Sequence, residues 1–186
     1  MTLIKSISGI RGTIGGRAGD GLTPADIVKF TAAYGKWILA KTANNKIVLG
    51  RDARISGEMV RNLVVGTLQS IGINVIELGL STTPTVEIAV PLENAGGGII
   101  LTASHNPKEW NALKLLNDKG EFISDSDGKE LLAIAEANEI VFSDVNNLGN
   151  VTFDDTYLQK HINVILALPL VDVEAIQKAN FKIAID

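Results

Sequence analysis

Thr102-Ala103-Ser104-His105-Asn106-Pro107 sets a hydroxyl, an imidazole and a carboxamide side by side, directly after a strongly apolar run. That run, Gly96-Gly97-Gly98-Ile99-Ile100-Leu101, reads as a buried strand bounded by glycines, and Pro107, lacking an N–H, cannot continue a ladder. Ser104 is therefore expected on a tight loop at the C-terminal end of a strand, the edge of an open parallel α/β sheet where ligands collect. Taken alone, the string is better explained as ordinary turn chemistry with a surface histidine; the clusters around it change that balance. Trp110-Asn111-Ala112-Leu113-Lys114 follows closely. A lysine in a mostly apolar strand beside a reactive loop can be partly desolvated and so suited to proton transfer, while the plain alternative has Lys114 pointing to solvent.

Two further clusters could hold anions. In Ser8-Gly9-Ile10-Arg11-Gly12-Thr13-Ile14-Gly15-Gly16 the glycines allow backbone N–H groups to approach a phosphate and Arg11 offers a bidentate fork. The segment is neither a Walker loop nor a dinucleotide fingerprint, and an N-terminal turn explains it equally well. Gly50-Arg51-Asp52-Ala53-Arg54 sits just past another expected strand; its arginines could bind anions, or Arg51 and Asp52 could form an ion pair that fixes the loop, the better account of Asp52. His161 falls on a late helix and reads as a surface or packing histidine.

The elements that must position these residues are legible as alternating strands and helices. Thr23-Pro24-Ala25-Asp26 starts a helix over 24–42, with apolar residues at helical spacing. Lys46 to Gly50 is a strand; Ser56 caps a helix that stops at Gly72; Asn74 to Leu78 is the next strand; Thr83-Pro84 opens a shorter helix that Pro91 ends; Gly97 to Leu101 is the third strand. Right-handed crossovers make these three strands parallel, with their C-terminal ends along one edge. Ala112–Leu116 and Glu121–Ile123 around Asn117-Asp118-Lys119-Gly120 predict an antiparallel hairpin extending the sheet. Ser124 begins another helix, in which Asp125 and Asp127 serve capping rather than calcium. Asn146–Asn150 reads as a linker, followed by helices around 155–167 and 171–179 and a strand at Phe181–Asp186. The fold class is α/β, a three-layer α/β/α domain with a mixed, mainly parallel sheet.

Composition narrows the chemistry. The chain has 186 residues, 46% hydrophobic, with a formal charge of −4, enough for one well-cored domain and without a basic stripe for nucleic acid. With no cysteine, thiolate chemistry and Cys-based zinc sites are excluded, and two histidines are the only imidazoles. No apolar stretch is long enough to span a bilayer and no secretory leader is evident, so a soluble cytoplasmic protein acting on small molecules is expected. A serine hydrolase fits poorly: there is no G-x-S-x-G elbow, and His105 adjoins Ser104 too closely for a triad base.

Taken in order, Gly9-Ile10-Arg11-Gly12, Gly50-Arg51-Asp52-Ala53-Arg54, Thr83-Pro84-Thr85, Thr102-Ala103-Ser104-His105-Asn106-Pro107 and Trp110-Asn111-Ala112-Leu113-Lys114 resemble the α-D-phosphohexomutase superfamily over essentially the whole chain. The resemblance implies an isomerase in which Ser104, carried as phosphoserine, passes phosphate between C6 and C1 of a hexose phosphate through a hexose 1,6-bisphosphate. It implies proton handling by His105 and Lys114, phosphate binding by Arg11, Ser104, Asn106 and Lys114, and a loop shaped by Asn106 and Pro107. It also implies one Mg2+ between the phosphoserine and a D-G-D-G-D-R loop of a second domain; no such string occurs here, so Ser104, through its phosphate, is the only metal ligand expected in this chain. Ser6-Ile7-Ser8 departs from the phenylalanine-glycine-threonine-aspartate start frequent in relatives. Residues 1–150 are read as the phosphoserine domain and 151–186 as linker helices and the first strand of a second domain, nearly inactive alone. The sugar, whether glucosamine, mannose or glucose phosphate, and the oligomeric state are left open. The alternative from another class is a non-catalytic phosphate-binding module.

Overall fold

The computed structural model describes residues 1–6 and 9–185. The parallel centre forms as the apolar runs require: β3 (Lys46–Arg51) lies between β4 (Asn74–Leu80) and β5 (Gly97–Leu101), parallel to both. Along β3 the side chains alternate between layers. Ile47 and Leu49 face the cluster built by α1 (Pro24–Lys41), α2 (Gly57–Ser70) and α4 (Asp125–Ala137), while Val48 faces that of α3 (Thr83–Leu92) and α5 (Tyr157–Leu166). The result is an α/β/α sandwich.

The sheet has seven strands in the order β1-β2-β6-β5-β3-β4-β7. β1 (Leu3–Ser6) and β2 (Gly9–Thr13) form an antiparallel pair, and β2 also pairs with β6 (Trp110–Leu116), which returns antiparallel beside β5. The glycine-rich segment around Arg11 is thus a strand rather than a turn, with Ile10 and Gly12 buried and Arg11 exposed between them. Gly9 permits it: its φ is +122°, and a Cβ there would stand 2.0 Å from the carbonyl oxygen of Leu113. Ser8 and Ile7 of this segment lie outside the described residues.

Several expectations are corrected. The expected hairpin adds no strand to the sheet: β2 takes that edge of β6 over residues 110–113, and residues 121–123 turn back on 115–117 through a single antiparallel bridge, Leu116 to Phe122. After the expected linker, β7 (Val151–Phe153) adds parallel to β4 as a three-residue exposed edge strand, beginning just past residue 150. Pro91 lies inside the last turn of α3, which ends at Leu92. Residues 181–185 form no strand, since no described residue offers them a ladder; Asp186 is outside the described residues. A final helix, α6 (Val173–Ala179), precedes them. Among the described residues, no helix is long and apolar enough to cross a membrane.

Helix starts follow the capping chemistry. Thr23 with Asp26, and Ser124 with Asp127, make reciprocal capping boxes, and Thr82 accepts from the N–H of Thr85. Ser56 is different: it precedes α2 without a side-chain cap, and its hydroxyl instead accepts a 2.9 Å hydrogen bond from the buried Asn111 amide, joining α2 to β6. Tyr34, fully buried on α1, donates its hydroxyl to the carbonyls of Gly98 (3.0 Å) and Leu116 (2.6 Å), tying the helix to β5 and β6 together. His161 packs α5 onto α3 through a 3.0 Å contact between Nδ1 and the Thr85 hydroxyl.

Candidate active site

The loop from Thr102 to Glu109 joins β5 to β6, so its ends are held by two paired strands. Within it, the Ala103 carbonyl accepts from Asn106 N–H at 3.0 Å, and the Pro107 carbonyl accepts from Trp110 N–H at 3.0 Å. Ser104 is exposed and has a φ of +54°, the left-handed region that a non-glycine residue enters at a cost; its N–H donates to the Thr102 hydroxyl at 3.1 Å. A strained, exposed serine at the C-terminal edge of a sheet is a feature of sites that present a side chain.

Ser104 opens into a cleft of about 250 Å³ lined also by Arg11, His105, Asn106, Lys114 and Phe122. The structure thus brings together Arg11, Ser104, His105, Asn106 and Lys114, whereas Arg51 and Arg54, also offered as anion binders, are not in its lining. Each arrives from a different direction: Arg11 from β2, opposite Ala112 in the β6 register, Lys114 from β6 itself, and Ser104, His105 and Asn106 from the loop. The lining contains no carboxylate. Among the described residues neither Arg11 nor Lys114 forms an ion pair, and the Lys114 ammonium sits 5.7 Å from the centre of the Phe122 ring. Two cations facing a hydroxyl without a counter-charge suit a doubly charged anion. The His105 Nδ1 lies 3.5 Å from Ser104 Oγ, at the outer limit of a hydrogen bond.

Sequence reasoning did not single out Phe122, which also lines the cleft, and it misassigned the arginine loop. Asp52 pairs with Arg54 at 3.2 Å, not with Arg51; Arg51 pairs with Glu58 at 2.9 Å. Among the described residues no group of three or more histidine, aspartate or glutamate side chains could hold a metal ion. The residues present therefore do not by themselves fit a magnesium site.

A larger groove of about 630 Å³ lies between α1 and the end of α4, but apart from Lys29 and Asn138 its lining is apolar or proline, without convergent polar groups. The smaller cleft has the chemistry.

Residues 3–141 match the family model described as phosphoglucomutase/phosphomannomutase, alpha/beta/alpha domain I. A phosphoglucosamine/phosphogalactosamine mutase of Sulfurisphaera tokodaii is 33% identical over the whole chain, and a phosphoglucomutase/phosphomannomutase of Thermococcus kodakarensis is 36% identical over 94% of it. The chain spans 39% and 38% of the length of these two relatives. A crystal structure of a phosphoglucomutase/phosphomannomutase family protein from Burkholderia thailandensis superposes with a TM-score of 0.68 at 22% identity, covering 84% of this chain and 35% of that one, and shares the fold. Because that family model matches residues 3–141, well over half of the chain, the chain belongs to the phosphoglucomutase/phosphomannomutase family.

Proposed function

We propose that this chain supplies the phosphoserine half-site of a phosphohexose mutase, an isomerase of carbohydrate metabolism. The observation that carries the reading is Ser104 itself: a hydroxyl on a left-handed backbone, exposed at the sheet's C-terminal edge and facing Arg11 and Lys114 in a cleft without carboxylates. In the forward transfer the bond between phosphorus and Ser104 Oγ breaks and one forms to a sugar hydroxyl oxygen. The proton leaving that hydroxyl and the one needed by the departing serine oxygen are handled by Lys114 and His105. Arg11 and Lys114 hold the phosphoryl oxygens, with Asn106 at the cleft wall. The second transfer returns the other phosphoryl group of the hexose 1,6-bisphosphate to Ser104, completing the exchange between C6 and C1.

Magnesium belongs to this reading only through what the rest of a mutase would add. The phosphoserine domain, 1–150 in the sequence reading, also takes in β7 and α5, which complete its sheet and its α3 layer, and the residues beyond lead toward a second one; without further parts, turnover should be negligible. On this reading the protein works in the cytoplasm on a hexose phosphate. The same cations would also serve a module that merely binds phosphate. Intact mass and peptide mapping after incubation with glucose 1,6-bisphosphate and Mg2+ separate the two. A single phosphate on Ser104, absent in Ser104→Ala, is expected of the mutase; bisphosphate binding with Ser104 unmodified would favour the binding module.

A further inference from the structure

The Arg54 guanidinium has five N–H donors, and every one has an acceptor. Nε meets the Asp52 carboxylate at 3.2 Å; Nη1 meets the carbonyl oxygens of Pro107 at 2.8 Å and Trp110 at 3.0 Å; Nη2 meets those of Ser104 and Asn106, both at 2.7 Å. Four main-chain oxygens of the serine loop, about fifty residues away in sequence, converge on one side chain that is only 12% exposed. Asp52 closes the arrangement by accepting the Arg54 N–H on its other oxygen at 3.0 Å. A planar fork fixes its acceptors in a common plane, which a lysine with three donors on a single nitrogen cannot do. Loop carbonyls usually turn to water; here four turn inward, and that orientation fixes the peptide plane that follows Ser104, while the plane before it is held by the Ser104 N–H on the Thr102 hydroxyl and the Asn106 N–H on the Ala103 carbonyl.

We infer that Arg54 is a positioning residue: it sets the left-handed backbone at Ser104 and so aims the hydroxyl into the cleft. The inference rests on the reading of Ser104 as the phosphoryl carrier. Because its donors are all engaged, Arg54 does not bind substrate phosphate, and that task falls to Arg11 and Lys114. A misplacement of about 1 Å at the reacting oxygen is enough to cost about 100-fold in rate.

The test compares wild type, Arg54→Lys and Arg54→Ala in the complete protein, following phosphate uptake by Ser104 from glucose 1,6-bisphosphate with Mg2+ and amide hydrogen exchange of the peptide spanning residues 102–111. Arg54→Lys should lower the saturating uptake rate about 100-fold while leaving the half-saturating bisphosphate concentration within about threefold, and Arg54→Ala should regain rate when ethylguanidinium is added. Loop exchange should quicken about tenfold in Arg54→Lys while exchange in β3 and β4 is unchanged. Uptake by Arg54→Lys at the wild-type rate would overturn the inference, as would a rise in half-saturation with an unchanged maximal rate, which would make Arg54 a phosphate ligand. If the complete wild-type protein takes up no phosphate, the reading of Ser104 fails instead. The exchange data then decide whether Arg54 orders the loop: equal exchange in both proteins overturns that too, and faster exchange in the variant upholds it.

Discussion

Tyr34 and Gly97 offer a test of how the site is braced from behind. The Tyr34 hydroxyl donates to two carbonyls, one on β5 and one on β6, the strands that carry the Ser104 loop and Lys114. Burial pushes its ionisation well above the usual tyrosine range, so it remains a donor. Tyr34→Phe keeps the ring stacked on Trp37 and removes one buried hydrogen bond, its single proton shared between the two carbonyls, at a net ~1 kcal/mol. For a chain of this size that lowers Tm by about 2–4 °C. A Cβ at Gly97 would stand 2.3 Å from the same hydroxyl, 2.7 Å from Ile38 Cδ1 and 2.7 Å from the Leu116 carbonyl oxygen. Two of these neighbours are pinned, so Gly97→Ala should cost near the upper end of overpacking, ~3 kcal/mol. In the double variant the nearest obstacle is gone while the Leu116 oxygen is still there. The total should therefore fall short of the sum, about 3 rather than about 4 kcal/mol. Urea unfolding of the four proteins measures this directly. Additivity within ~0.5 kcal/mol, or a Tyr34→Phe loss below ~0.5 kcal/mol, would refute the bracing argument.

Two further outcomes are expected. Lys114→Met should slow phosphate uptake by Ser104 about 100-fold, within the range for a lost proton-transfer group, and leave Tm within a few degrees because Lys114 is half-buried and makes no ion pair among the described residues; a near-wild-type rate removes Lys114 from the chemistry. Asp154 is held down to about 2, chiefly by Lys160 Nζ at 2.8 Å and then by the Thr156 hydroxyl and N–H, at the entrance to α5. A depressed carboxyl stabilises fully above its ordinary value near 3.8 and loses that contribution as pH falls toward 2. Solvent screening keeps the effect under ~1 kcal/mol. Between pH 4 and pH 2, thermal stability should fall more steeply in the wild type than in Asp154→Asn, and parallel curves would contradict this.

The parallel centre was legible because it is written locally. Apolar runs mark β3, β4 and β5, and capping residues such as Thr23 and Ser124 mark the helices between. What escaped was settled by distant partners. β2 hides behind glycines that only its closeness to Leu113 explains, and β7 is three exposed residues recognisable only once β4 lies beside them. The same divide runs through the site. Ser104, Arg11 and Lys114 stood out by residue type, whereas Arg54 could not be separated from Arg51, because the acceptors that define it are backbone oxygens, which carry no sequence signature. The Asp52-x-Arg54 spacing, which puts a carboxylate within reach of the guanidinium, was the one available hint.

The positive φ of Ser104 bears on what selection preserves here. Left-handed backbone costs a serine ~1–2 kcal/mol that glycine avoids and asparagine bears more easily, so the conformation alone would favour either of those residues. A lineage released from the need for that hydroxyl, and judged only on how long the protein persists, should drift away from serine at this one position while the surrounding loop stays intact. The side chain at residue 104 would then report whether a descendant still uses the cleft.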